Sequence, residues 1–181
     1  MIGDTLNNRI KGEQWQEYES PVFGMRYIHL LKIKKIIELI RKVVNFNFNN
    51  GNPIKLIDIG CGDGYLLKEI ANDFLQIDLF GIDLSEYKVE TAKRFSPIAV
   101  LKTGDAKDIP FESETFDIVV CSEVIEHCPD DMKVLAELYR ILKTNSFLIL
   151  TVPNLYTLEN ISKLLIGKRI APSPYHLREY S

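Results

Sequence analysis

Short apolar runs alternate along this chain with segments whose apolar residues recur three and four positions apart. Leu56 to Ile59, Ile77 to Ile82, Ile98 to Leu101, Phe116 to Cys121 and Phe147 to Val152 are runs of strand length. After the first run, Leu66, Leu67, Ile70, Ala71 and Phe74 take helical spacing, and the pattern ends near Asp73. Ser85 is a good N-cap for a helix through about Phe95. Val134, Leu135, Leu138, Ile141 and Leu142 form the stripe of another helix. Pro129 takes its first position, with Asp130 and Asp131 in the positively polarised first turn.

Ahead of these, Leu30, Ile33, Ile37, Ile40 and Val44 predict an amphipathic helix over about Met25 to Val44. Its other side carries Lys32, Lys35 and Lys42, read as a solvated face, with contact to a phosphate or an anionic surface as the alternative. The polar stretch before it, with Trp15, Tyr18, Pro21 and Phe23, reads as an irregular arm or a short helix. Leu155 to Ile166 predicts a last helix, and Gly167 to Ser181 an irregular end. The runs are apolar throughout rather than alternating, which implies strands buried on both faces. Five such strands separated by helices predict an α/β fold, a doubly wound, mostly parallel sheet. No repeat or boundary divides the chain: the expectation is one domain over 1–181, with an arm and helix over 1–53, a core over 54–154 and a C-terminal part over 155–181.

The first strand runs straight into Gly60-Cys-Gly-Asp-Gly64, and a helix opens at Tyr65. Strand, glycine turn and helix are the start of a βαβ unit that seats a small molecule over the helix N-terminus. Each glycine serves either a tight turn or a close approach of main chain to ligand. A dinucleotide fingerprint would need a small residue at position 65, where Tyr65 stands, so a nicotinamide-dependent oxidoreductase is the opposed enzyme reading. Asp83 closes the second strand 21 residues after Gly62, the placement of an acid that reads a ribose. In a doubly wound sheet Asp83, Asp105 and Glu123, all at strand ends, face one cleft with the glycine turn.

Composition narrows the partners. The 181 residues carry a net charge of −3, so no strong global attraction to nucleic acid or an anionic membrane is expected. No apolar run approaches the roughly 18 residues of a membrane span. The first residues have neither the basic start nor the apolar core of a signal peptide. Cys61, Cys121 and Cys128 are odd in number and have no zinc spacing, so the expectation is a reduced, cytoplasmic protein acting on a small molecule.

Asp58-Ile-Gly-Cys-Gly-Asp-Gly64 resembles motif I of the class I S-adenosylmethionine-dependent methyltransferases, a Rossmann-like family. Leu79-Phe-Gly-Ile-Asp-Leu84 is similar to its motif II, and Gly104-Asp-Ala-Lys-Asp-Ile-Pro-Phe111 to the segment before its fourth strand. Phe116 to His127, Leu138 to Lys143 and Leu148 to Asn154 resemble its small-molecule branch, so the resemblance spans roughly residues 56 to 154. It implies S-adenosylmethionine as cofactor. Gly60, Cys61, Gly62 and Gly64 would line its methionine end, with Asp58 just beneath and Tyr65 beside them. Asp83, followed by Leu84, would take both ribose hydroxyls, its ordinary alternative being a helix-capping or turn acid. Asp105 and Ala106 would meet the adenine amino group, with a plain turn role for Gly104-Asp105 as the alternative, while Ser122 and Glu123 would face cofactor and acceptor.

Two departures stand out. Lys143-Thr-Asn-Ser146 replaces a turn usually rich in proline and glycine, and Asn tolerates the left-handed conformation this needs. The chain also ends before the family's last two strands. Either the C-terminal part is incomplete, or strand five is an exposed edge that pairs with another chain, as in a homodimer.

Glu123, Glu126 and His127 follow strand four within five residues and are the catalytic candidates. His127 is the first choice as base, because imidazole exchanges protons near neutral pH; its bland alternative is a helix cap. With His176 the three resemble the metal site of certain metal-dependent O-methyltransferases, where Mg²⁺ or Mn²⁺ would acidify a hydroxyl. Trp15, Tyr18 and Tyr27 are candidates to close over the cleft, with packing on the sheet as their ordinary role. The functional expectation is methyl transfer to a small molecule, preferably at oxygen. The competitor from another class is a cofactor-binding module that has lost catalysis.

Overall fold

A computed structural model describes residues 23–47, 53–154 and 177, leaving aside the side chains of 23–28 and 46–47. Helix α1 (Phe23–Asn47) precedes strand β1 (Ile54–Ile59), α2 (Tyr65–Asp73), β2 (Ile77–Asp83), α3 (Glu86–Phe95) and β3 (Val100–Thr103). Then come β4 (Phe116–Ser122), a single 3₁₀ turn (Ile125–His127), α4 (Asp131–Ile141) and β5 (Leu142–Thr151). The expected helix over 155–166, the irregular end, Trp15, Tyr18, the Tyr27 ring and His176 lie outside the described residues.

The five strands pair in parallel in the order β3-β2-β1-β4-β5. Because β1 is bonded on both sides, its Leu56, Ile57 and Ile59 are buried on both faces, which is why its run does not alternate. Leu56, Leu79, Ile118 and Val120 pack beneath α1, α2 and α3. Ile57, Ile59, Val119 and Cys121 pack beneath α4 through Val134, Leu138 and Ile141. Right-handed crossovers therefore put α2 and α3 on one face and α4 on the other. The winding reverses between β1 and β4, opening a crevice at the strands' carboxyl ends.

Helix α1 buries Ile33, Ile36, Ile37, Ile40 and Val44, each burial stabilising by about 1.5–3 kcal/mol. It runs against the strands: Arg41 reaches Asp73 at the end of α2, 2.6 Å away, while Lys32 reaches Glu123 just beyond β4. Its first turns therefore overhang the crevice, and Leu30, expected in the stripe, is left partly exposed.

Four local expectations shift. Strand β3 begins at Val100 rather than Ile98, because Ala99 N–H closes a turn on the Ser96 carbonyl and leaves Ile98 exposed. Pro129 stands ahead of α4 instead of within it. Asp130 is the N-cap, its carboxylate accepting from Lys133 N–H at 3.0 Å. Strand β5 begins at Leu142, since Leu142 already pairs with Phe116 before a register irregularity; Asn145 takes the left-handed conformation, φ 63°. Finally, Lys32 is not on a solvated face, whereas Lys35 and Lys42 do lie there, paired with Glu38.

Candidate cofactor and acceptor site

The three glycines of the bend all have positive φ, yet their reasons differ. A Cβ on Gly60 would lie 2.4 Å from Val124 Cγ2, and one on Gly64 would lie 2.9 Å from Ala92 Cβ. Those two are glycine because the protein itself fills the space. A Cβ on Gly62 would meet nothing within 4 Å. Main chain is thus open to a ligand at Gly62, with the uncapped N-terminus of α2 and the exposed Tyr65 ring beside it.

Asp83 locks the bend. Its Oδ2 accepts from Gly62 N–H and its Oδ1 from Ser85 N–H, both at 2.9 Å, so one carboxylate ties the glycine bend to the cap of α3. Burial pushes this carboxyl above the usual range, while the two backbone N–H groups and Lys88 pull it back. Its carbonyl accepts from Gly104 N–H at 3.0 Å, joining the end of β2 to the loop after β3. Asp58 lies in β1, only 4% exposed. Burial, and then the negative charge of Asp83, push its carboxyl up to about 8. Cys61 is buried, and burial together with these carboxylates drives its thiol far above the reactive range, so it is a filler.

The loop after β3 is a built platform. Asp105 Oδ1 accepts from Lys107 N–H at 2.9 Å, so Asp105 carries the turn, and its side chain and Ala106 stay half-exposed. Arg140 of α4 donates to the carbonyls of Ile109 and Phe111 at 2.9 and 2.8 Å and grips Glu137 with two bonds. Glu137 in turn accepts from Ile109 N–H at 2.8 Å. The guanidinium holds the Glu137 carboxyl below the usual carboxylate range. This is the physical reason for the Leu138 to Lys143 motif, whose Arg140 sequence reading had left without a role.

On the acceptor side, Glu123 takes a left-handed backbone, φ 57°, and its carboxylate stands between Lys32 Nζ at 2.6 Å and Thr151 Oγ1 at 3.1 Å. Thr151 Oγ1 also meets Ser122 Oγ at 2.8 Å. His29, one turn before Lys32, brings its ring to 6.4 Å from that of Tyr65. Burial and the Lys32 ammonium hold its imidazole below the ordinary value, with Glu123 opposing. The helix stripe does not show which of its ends overhangs the crevice, so the sequence points neither to His29 beside Tyr65 nor to the Lys32–Glu123 pair.

The other two candidates diverge. His127 ends the 3₁₀ turn half-buried, whereas Glu126 is fully buried, its Oε1 3.8 Å from His127 Nε2 and its carbonyl bonded by Leu177 N–H. Glu126 turns inward because the 3₁₀ turn packs Ile125 and Glu126 together against the core. Among the described residues no three His, Cys, Asp or Glu side chains are grouped to hold a metal, and none of their helices is long and apolar enough to cross a membrane.

A family model described as a methyltransferase domain matches residues 57–150, over half of the chain. The mitochondrial ubiquinone biosynthesis O-methyltransferase of Schizosaccharomyces pombe is 26% identical over 174 residues, covering 91% of this chain and 61% of the relative. Cycloartenol-C-24-methyltransferase 1 of Oryza sativa subsp. japonica is 33% identical over 96 residues, covering 50% and 28%. Among solved structures, the YcgJ protein of Bacillus subtilis shares the fold with TM-score 0.56 and 22% identity, over 67% of this chain and 50% of that one. The chain spans less than two thirds of the length of these curated relatives. Glycine bend, strand-end acids, sheet order and family match agree: the chain belongs to the methyltransferase-domain family of class I S-adenosylmethionine-dependent methyltransferases.

Proposed function

We propose that this chain binds S-adenosylmethionine at the Gly60–Gly64 bend and directs methyl transfer to a small-molecule acceptor, preferably at oxygen. The observation that carries the reading is the Gly62–Asp83 bond beneath open space: a main chain fixed by a strand-end carboxylate and approachable at one glycine. The cofactor, when bound, supplies a methyl group on a positively charged sulfur for in-line displacement.

The residues of the chain then have distinct tasks. Asp83 retains lone pairs for ribose hydroxyls after its two backbone bonds. Asp83 supplies negative charge near the cofactor, while Asp58 beneath it holds a proton that a nearby cation would tend to displace. The Arg140-braced loop presents Asp105 and Ala106 to the adenine. Lys32, His29, Glu123 and Thr151 wall the acceptor side, and orientation there can contribute about 7–11 kcal/mol to the barrier. His127 is the proposed base for a hydroxyl acceptor, since Glu123 is engaged by Lys32 and Glu126 is sealed inside. The pombe relative, named an O-methyltransferase, supports oxygen, while the rice relative is named for methylation at carbon.

Incubating the full chain with methyl-labelled cofactor and a metabolite extract, then searching by mass spectrometry for products one methyl heavier, tests this. A labelled O-methyl product whose formation fails in the His127→Ala variant is expected. Tight cofactor binding with no turnover in any extract would instead support the binding module.

A further inference from the structure

Lys88 occupies a position in α3 that the helix pattern reserves for an apolar residue. Its neighbours on that stripe, Val89, Ala92 and Ser96, are buried, and its own side chain is 8% exposed. It is the one buried cation among the described residues. Its ammonium reaches Asp63 Oδ2 at 3.0 Å, and Asp63 sits in the bend between Gly62 and Gly64. The same helix touches the bend twice more. Asp83, just ahead of its cap, accepts from Gly62 N–H, and Ser96, just past its end, donates to the Gly64 carbonyl at 3.1 Å.

We propose that Lys88 is a positioning residue of the cofactor site, bracing the glycine bend through Asp63 so that Gly62 is presented to the ligand. The proposal rests on the reading of this bend as the cofactor site. A segment with three glycines loses more conformational entropy on ordering than any other, so an unbraced bend would present Gly62 in many orientations. Asp63 itself is 45% exposed, so the pair adds little to the fold. Taking the Lys88 ammonium out of water is costly, and an apolar residue of similar volume commonly serves a buried stripe as well. Retention of the lysine therefore points to geometry and charge at the site. Lys88 also faces Asp83, alongside Asp58 from β1, Asp63 and Cys61 from the bend, and the N–H groups of Gly62 and Ser85. Among these titratable groups it alone favours the ionised form of Asp83, the form that accepts from both ribose hydroxyls.

The test is calorimetric titration of the full chain with S-adenosylhomocysteine across a pH series, with a thermal melt of each ligand-free variant. Lys88→Met is expected to bind about tenfold more weakly at neutral pH, from the loosened bend and the lost charge together, with the gap to wild type widening as pH falls. Its melt is expected to match or exceed wild type, a split that a merely structural lysine would not give. Lys88→Arg should restore binding to within about threefold, and Asp63→Asn should lose about threefold without the added pH dependence. Wild-type affinity in Lys88→Met at every pH, or an arginine variant as weak as the methionine one, overturns the proposal. Should Lys88→Met fail to fold, Asp63→Asn decides, and undiminished affinity there overturns the brace. Absence of binding by the wild-type chain overturns the cofactor reading and the brace with it.

Discussion

Replacing Asp58 with asparagine should make this protein less sensitive to alkaline pH. Asp58 is buried in the central strand beside Asp83, and its carboxyl is pushed up to about 8. The unfolded chain releases that proton at about 3.9. Between these values the folded chain holds a proton that the unfolded chain has released. The stabilisation is thus complete below about pH 4 and is lost as pH rises through 8, at up to about 1.4 kcal/mol per unit. At pH 7 three units have passed, so the native aspartate costs about 4 kcal/mol relative to a neutral isostere. Folded domains hold only about 5–15 kcal/mol in total, so the effect is large.

Asparagine brings two new N–H donors, and a buried donor without a partner costs about 1–3 kcal/mol. That cost does not vary with pH, so the diagnostic is the slope. Urea denaturation followed by circular dichroism, at constant ionic strength from about pH 5 to 8, gives the stability gap between Asp58→Asn and wild type. The gap should move in favour of the variant by about 1 kcal/mol per pH unit, and histidine titration cancels because both chains share it. A gap that stays flat across the series, or one that moves toward wild type, would refute the account of Asp58 as a carboxyl protonated by burial.

The glycines of the bend should separate stability from binding. Gly60→Ala adds a Cβ 2.4 Å from Val124 at φ 76°, and should cost about 2–4 kcal/mol by thermal denaturation. Gly62→Ala meets no atom, so its strain at φ 52° should cost about 1 kcal/mol while S-adenosylhomocysteine affinity falls at least about tenfold by calorimetry. Arg140→Lys cannot span Glu137 and the Ile109 and Phe111 carbonyls together. It should lose about 1–3 kcal/mol and speed proteolysis within residues 104–115, with cofactor KM raised more than kcat is lowered. Lys32→Met should change stability by about 1 kcal/mol or less, because the ion pair is partly solvated. Its mark should instead be an altered acceptor KM with unchanged cofactor affinity, measured by steady-state kinetics.

The sheet was legible because its signal is one-dimensional. Burial on both faces makes a run of Leu-Ile-Asp-Ile type, and its short length before a glycine turn separates it from a helix. The positions of the glycine turn and of Asp83 were legible for a similar reason, since both are set along a strand–turn–helix unit. Boundaries shifted where a backbone bond outweighed side-chain pattern, as when the Ser96 turn delayed β3 and Asp130 displaced Pro129 from the helix start. What could not be read was any contact between distant elements. Lys32 looked like a solvated lysine because its partner, Glu123, is 91 positions away and meets it only across the crevice. Lys88 did leave a trace, a charge on an otherwise buried stripe, but its meaning depends on Asp63 arriving at 3.0 Å.

These hidden contacts share a physical cause. On the proposed function, a site for a cationic cofactor gathers carboxylates where water is scarce, and the charge of Asp83 reaches the buried Asp58 and raises its carboxyl. The chain answers each of them differently: Asp83 with two backbone N–H groups and a buried lysine, Asp58 with a proton. The first answer leaves a carboxylate ready to accept hydrogen bonds, and the second leaves a charge in reserve. A cation arriving near Asp58 would favour its ionised form and release the proton, so cofactor uptake near neutral pH should be accompanied by proton release. The proton that Asp58 holds in the free protein therefore opposes uptake below about pH 8, and affinity should rise as pH approaches that value.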